Sequence, residues 1–199
     1  MPGTAGERRP RRSAAETRAH ILDVADRLFY WDGLHNTGVD KVARAADIAP
    51  TTLYRSFADK DDLVAAYVER ADLLTREWID AAIAASDGTP RSAILAVFAG
   101  LRPRLAPAVY RGCACQMTLA EYPDAESAPH RNAVAAKDWL HDRFAGLLAD
   151  AGVDDPGGLA GQLMVIYDGA LASAQRLRSA EPALHAGRLA EVLLDSRDL

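Results

Sequence analysis

The chain has 199 residues, 49% apolar and 26% charged, with a net charge of −5, which allows a substantial buried core and argues against an indiscriminate nucleic-acid binder. Its two cysteines, Cys113 and Cys115, stand two apart, where side chains on a helix diverge, so a disulfide-framed scaffold is excluded. No apolar run reaches the length of a membrane span and no apolar stretch follows the N-terminal arginines, so the expected location is the cytoplasm, away from any membrane.

Charge is unevenly spread along the chain. Residues 1–60 carry ten Lys and Arg against eight Asp and Glu; residues 61–199 carry thirteen against twenty. A mildly basic head on an acidic body fits a nucleic-acid module fused to something else. Residues 1–12, with Pro2, Gly3, Pro10 and four arginines, predict a disordered basic arm. Ser13 and Glu16 then form an S-x-x-E capping box. Ile21, Leu22, Ala25, Leu28 and Phe29 follow at helical spacing, and Asp32-Gly33 supplies a left-handed stop. Two short helices are predicted next, over about Val39–Ala46 and Pro50–Phe57, broken by Asp47-Ile48-Ala49-Pro50. Two short helices and a tight turn behind a longer buttress make a helix-turn-helix over residues 13–60.

From Asp59 and Asp62, placed like a capping box, a long helix carries Leu63, Tyr67, Leu74, Trp78 and Ile79 as far as Asp87-Gly88. Further helices are predicted near 90–104, 107–121, 128–151, 156–179 and 182–195, separated at Pro107, Tyr122-Pro123-Asp124, Gly152–Gly158 and Glu181-Pro182. No alternating strand pattern or internal repeat occurs. The expected architecture is all-α, with the second domain over residues 61–199.

A recognition helix needs short polar residues near its start to reach base edges and apolar residues behind to seat it. Leu53 and Phe57, four apart, should face inward, leaving Pro50, Thr51, Thr52, Tyr54, Arg55 and Ser56 for DNA. Arg55 is suited to a bidentate guanine contact, Thr51 or Thr52 to a thymine methyl, and Tyr54 to a phosphate or to base-sugar packing. Lys60, at the first turn of the following helix, is placed to clamp a phosphate. Lys41 and Arg44 suit phosphate contacts or plain solvated surface equally.

The run from Gly38 to Leu63, densest at Thr52-Leu53-Tyr54-Arg55-Ser56-Phe57 with Asp59, Lys60 and Leu63 behind it, resembles the DNA-binding signature of the TetR family. With the upstream helix, the resemblance covers about the first third of the chain. Three positions depart from the family pattern: Asp47 stands where glycine is usual in the turn, Ala49 where a capping Ser or Thr is usual, and Ser56 where histidine is common. The resemblance implies a repressor that binds palindromic double-stranded operator DNA as a homodimer, with a C-terminal helical domain that dimerises and takes a small-molecule inducer.

For the dimer, Leu159, Leu163, Ile166, Ala170, Ala174 and Leu177 form one stripe, with Leu184, Leu189, Val192 and Leu193 in the last helix. Such stripes also suit an internal core; the two-fold symmetry needed to read a palindrome favours the dimer. For the inducer, the candidates are Phe98, Met117, Tyr122, Trp139, Arg143 and Tyr167, an aromatic and soft set with one cationic handle. Cys113 and Cys115, with His130 and His141 further on, lack metal-ligand spacing; they fit buried apolar side chains or redox-responsive thiols. No metal or cofactor is expected. Nothing matches a phosphate loop, a nucleophile elbow or a histidine pair one turn apart, so catalysis is not expected. The competing reading is a helical protein-binding adaptor that has lost DNA binding.

Overall fold

The computed structural model describes residues 12–199, so the predicted basic arm, Arg12 apart, lies outside the described residues. Those residues form α1 (Ala14–Asp32), α2 (Val39–Ala45), α3 (Pro50–Ser56), α4 (Lys60–Ala84), α5 (Pro90–Arg104), α6 (Ala114–Glu121), α7 (Ala128–Asp150), α8 (Pro156–Leu177) and α9 (Glu181–Asp195), with no strand among them. The chain divides into two compact units between Leu63 and Val64, within α4.

In the first unit, the capping box closes as its sequence requires. Ser13 Oγ accepts from the Glu16 amide at 3.2 Å, and the Glu16 carboxylate accepts from the Ser13 amide at 2.7 Å. Hydrogen bonding of the carboxylate by the Ser13 amide, and then by its hydroxyl, holds the Glu16 carboxyl below the usual carboxylate range. α1 buries Ile21, Val24, Ala25 and Phe29 and packs on α2 and α3, then stops at Gly33 with φ 96°. The turn between α2 and α3 takes its bend at Asp47, whose φ of 54° lies in the left-handed region. His20 Nε2 lies 2.8 Å from the Ala46 carbonyl oxygen and ties that turn to α1.

α3 begins with Pro50 at its first position, where the missing amide costs nothing. Its N-cap, Ala49, has the extended backbone of a cap (φ −67°, ψ 144°) and no side chain to fill the role. Ala49→Ser should therefore stabilise the domain by about 0.5–2 kcal/mol, since the hydroxyl acquires a free amide without moving the backbone. Urea titration of the two proteins checks this; coincident midpoints would contradict it. At the other end, Arg18 Nη1 donates to the Ser56 carbonyl at 2.5 Å while its guanidinium lies 4.0 Å from the Phe57 ring centroid. Buried Leu53 and Phe57 fix which face of α3 points out.

The start of α4 carries the expected paired carboxylates, with one difference. Asp59 Oδ1 accepts from the Asp62 amide at 2.8 Å, and Asp62 reaches back to the amide of Ala58 rather than of Asp59, at 3.0 Å.

The second unit is a helical bundle in which α5, α7, α8 and α9 surround one core. Phe98 stacks on Phe144 with centroids 6.0 Å apart and planes 3° from parallel, and meets Tyr167 edge-on at 6.3 Å. Ile94, Leu101, Leu140, Leu148, Leu163 and Leu194 close around them. Thr89, Ser127 and Asp155 cap α5, α7 and α8 by accepting first-turn amides.

Two expectations are corrected here. The helix predicted over 107–121 begins only at Ala114; residues 105–113 are irregular. The Tyr110 hydroxyl donates to the Leu171 carbonyl at 3.1 Å, and Gly112 approaches α8 so closely that a Cβ there would lie 3.0 Å from the Gln175 side chain. Those tethers hold the chain against α8 as a loop, overriding its apolar, helix-compatible composition. In addition, most of the stripe assigned to a dimer face on α8 is internal: Leu159, Leu163, Ala170 and Ala174 are buried in their own unit. The side of α8 left open carries Val165, Gly169 and Ala172. Helical periodicity identifies a stripe, and only tertiary packing says what covers it.

Candidate nucleic-acid interface and ligand cavity

Seating Leu53 and Phe57 inward turns Pro50, Thr51, Tyr54 and Arg55 to solvent, with Tyr54 51% exposed. An aromatic residue that exposed on a short helix contributes little to packing in the free chain. Thr52 and Ser56 are half-buried, and the Ser56 hydroxyl donates to the Thr52 carbonyl at 3.3 Å, leaving its oxygen as an acceptor. Lys60 is half-buried at the first turn of α4, and Arg44 is exposed at the last turn of α2. Lys41 is engaged: its Nζ lies 2.7 Å from Asp32 Oδ2. Both partners are exposed, so the pair is weak and a phosphate can compete for it. Arg18, which the sequence reading passed over, positions α3 through Ser56 and Phe57; its signal was an arginine on the buttressing helix one turn before the apolar face begins.

The family model for bacterial regulatory proteins of the tetR family matches residues 21–67. The HTH-type transcriptional regulator AcrR of Shigella flexneri is 45% identical over 56 residues, covering 28% of this chain and 26% of that protein. The HTH-type regulator SAB2452 of Staphylococcus aureus is 40% identical over 65 residues, 33% of this chain and 35% of its own. The chain thus aligns with only a quarter to a third of these curated relatives' length. Similarity to the crystal structure of SCO4454, a TetR-family transcriptional regulator from Streptomyces coelicolor, runs nearly end to end: 31% identity, TM-score 0.86, 93% of this chain and 97% of that one. The chain belongs to the TetR family. A TetR regulator from Chloroflexus aurantiacus shares the fold at 22% identity and TM-score 0.79, over 92% of this chain and 96% of that one. The protein is accordingly a TetR-family transcriptional regulator with a DNA-binding helix-turn-helix, and its relatives are regulators rather than enzymes. Among the described residues, no helix is long and apolar enough to cross a membrane.

The second unit of this TetR-family chain encloses a cavity of about 240 Å³. Trp78, Leu101, Leu105, Leu140 and Leu171 give it apolar walls; Asp72, Arg104, Tyr110, Cys113, Cys115, Lys137 and Tyr167 bring polar groups to it. Lys137 Nζ is 2.6 Å from Asp168 Oδ1 and 5.5 Å from the Tyr167 ring centroid. Of the six residues expected to bind a ligand, only Tyr167 lines this cavity. Phe98 is spent on the core stack, and the backbone carbonyl of buried Tyr122 holds His130 Nδ1 at 2.7 Å. Trp139 lies under the Arg76 guanidinium at 4.9 Å, and Arg143 pairs with Asp80 at 3.3 Å on the surface. Met117 Sδ faces Arg111 Nη1 at 3.8 Å. His141 Nε2 lies 3.2 Å from the Gly157 carbonyl oxygen, so each of the two histidines considered with the cysteines is engaged elsewhere. Lys137 was missed; the available signal was a lone lysine beside the apolar row Ala133, Ala136, Leu140 and Phe144 of α7.

Proposed function

We propose that the protein represses transcription as a homodimer on a palindromic operator and releases it when a small molecule occupies the cavity. The observation that carries the DNA half is the outward face of α3, where Thr51, Tyr54 and Arg55 stand exposed over a locked, apolar inner face. In this reading α3 enters the major groove from Pro50, Arg55 takes a guanine, and Thr51 or Thr52 meets a thymine methyl. Tyr54, Ser56, Lys60 and, once freed from Asp32, Lys41 hold phosphates.

The homodimer reading rests on apolar side chains that their own unit leaves uncovered. On α9, Leu184, Leu189 and Val192 are exposed; on α8, Val165 is 74% exposed beside Gly169 and Ala172. A Cβ on Gly169 would meet nothing within 4 Å, so internal packing does not demand glycine there, whereas close approach of another helix does. Release requires only that the effector bind the low-affinity state better than the operator-bound one.

Selection of bound duplexes from a random pool by the full chain tests the proposal. An inverted repeat should be enriched. Affinity for it should fall by roughly a thousandfold or more between about 50 and 200 mM salt, as several neutralised phosphates regain their counterions. No enrichment from a dimeric protein would favour the adaptor reading.

A further inference from the structure

The cavity of the second unit holds more chemistry than an apolar pocket requires. Cys113, half-buried at the N-cap of α6, lines it together with Cys115 and Lys137. The hydrogen bond from the Cys115 thiol outweighs the cost of burying a charged sulfur; the Lys137 ammonium and the first-turn amides of Gln116 and Cys115 add to it. Together they bring the Cys113 pKa down to about 6. Cys115 moves the opposite way, held as a thiol by that same bond, by burial and by the charge on Cys113. Burial works against the charge of Lys137, but Cys113 and Asp168 prevail and keep its pKa above the usual lysine value. Burial first, and then Cys113 and Asp168, raise the Tyr167 phenol well above its usual range, so it stays neutral. Asp72 of α4, Arg104 of α5 and Tyr110 of the loop complete the charged and titratable groups at the cavity. A structural cysteine in apolar surroundings stays protonated and inert, whereas an anionic, partly accessible one is a nucleophile.

We infer that this cavity captures small apolar electrophiles of the α,β-unsaturated carbonyl class, with Cys113 as the nucleophile; this deepens the effector reading above and rests on it. The thiolate lone pair forms a sulfur–carbon bond at the β-carbon, the alkene π pair moves to give the enolate, and the enolate takes a proton from the Lys137 ammonium, which solvent restores. No group leaves and no outside oxidant or reductant is consumed. The walls decide the class of electrophile: Trp78, Leu101, Leu105, Leu140 and Leu171 suit a carbon skeleton, and the polar groups among them suit a single carbonyl. The volume, about 240 Å³, restricts the guest to a small molecule.

The probe is 2-cyclohexen-1-one with the full chain, followed by intact mass, peptide mapping and binding to the selected duplex. One adduct is expected, on Cys113. At neutral pH Cys113 is mostly thiolate against a few per cent for an ordinary cysteine, but its lower basicity trims its nucleophilicity, so the net rate gain is only a few-fold and the pH profile is decisive. The rate should be half-maximal near pH 6 and level above about pH 7. Cys115→Ala, which removes the donor, and Lys137→Met should each move that midpoint upward, and Lys137→Met should also slow adduct formation because water must then protonate the enolate. Cys113→Ser, close in size, should bind the duplex equally with and without the enone, whereas the wild-type adduct should lose at least tenfold in affinity. Absence of an adduct on Cys113, a rate still climbing at about pH 8–9 like a free thiol, or an adduct with undiminished duplex affinity would overturn the inference. Failure of the unmodified chain to bind any duplex strikes the regulator reading instead, because the mass and pH readouts of capture need no DNA.

Discussion

Arg55→Ala should weaken binding to the selected duplex by about 2–6 kcal/mol and remove the preference for guanine at one position in each half-site. A bidentate arginine–guanine pair is worth about 1–3 kcal/mol of discrimination, and a homodimer loses two of them. The side chain is exposed on α3 beside exposed Tyr54, while the face behind it is held by Leu53, Phe57 and the Arg18 contacts to Ser56 and Phe57. Loss of Arg55 should therefore leave folding untouched. Lys60→Ala should give a different signature, a similar weakening across all sequences and a salt slope lower by about two, because the partner proposed for it is a phosphate in each half-site. Tyr54→Ala should abolish measurable binding, and Tyr54→Phe separates the hydroxyl's contribution from that of the ring. Fluorescence anisotropy on labelled duplexes measures all four variants. Wild-type affinity in both Tyr54→Ala and Lys60→Ala would mean that this face of α3 does not meet DNA.

If the proposed homodimer forms through α8 and α9, Val192→Arg should give a monomer and, with it, lose at least a hundredfold in operator affinity. Val192 is 65% exposed on α9 and Val165 74% exposed on α8, so substituting either removes little packing from the unit that carries it. Placed against a copy of itself, however, the arginine would be buried without a partner on both sides of the two-fold axis, which costs several kcal/mol. A monomer retains one reading head and forfeits the second half-site. Sedimentation velocity reads the assembly and circular dichroism checks that helix content is kept. A dimer that survives Val192→Arg combined with Val165→Arg would move the interface away from α8 and α9.

What the sequence disclosed depended on how local its cause was. The helix-turn-helix was legible because its determinants lie a few residues apart: the Ser13–Glu16 box, the Gly33 stop, the Leu53–Phe57 spacing and Pro50 at a helix start. Asp47, which stands where the family pattern has glycine, takes the left-handed backbone that glycine adopts most readily. The loop over 105–113 was not legible, since its causes are the Tyr110 bond to Leu171 and the closeness of Gly112 to Gln175, each some sixty residues away in the chain. The α8 stripe was visible, but periodicity carries no information about whether the covering surface belongs to the same chain. The cavity was the least legible feature. Its walls come from α4, α5, the loop, α6, α7 and α8, so no spacing along the chain links Cys113 to Lys137. Of the residues that looked most like a ligand site, Tyr167 lines the cavity, while Phe98, Arg143 and Tyr122 are engaged in the core stack, a surface ion pair and a backbone contact.

The central claim is that α3 reads bases in the major groove. It is tested most directly by methylating guanine N7, which faces that groove, in the selected duplex before binding. For the wild-type protein, interference should fall on guanines placed symmetrically in the two half-sites, and for Arg55→Ala one symmetric pair should cease to matter. Absence of interference at any guanine N7, or a pattern unchanged by the loss of Arg55, would contradict the account.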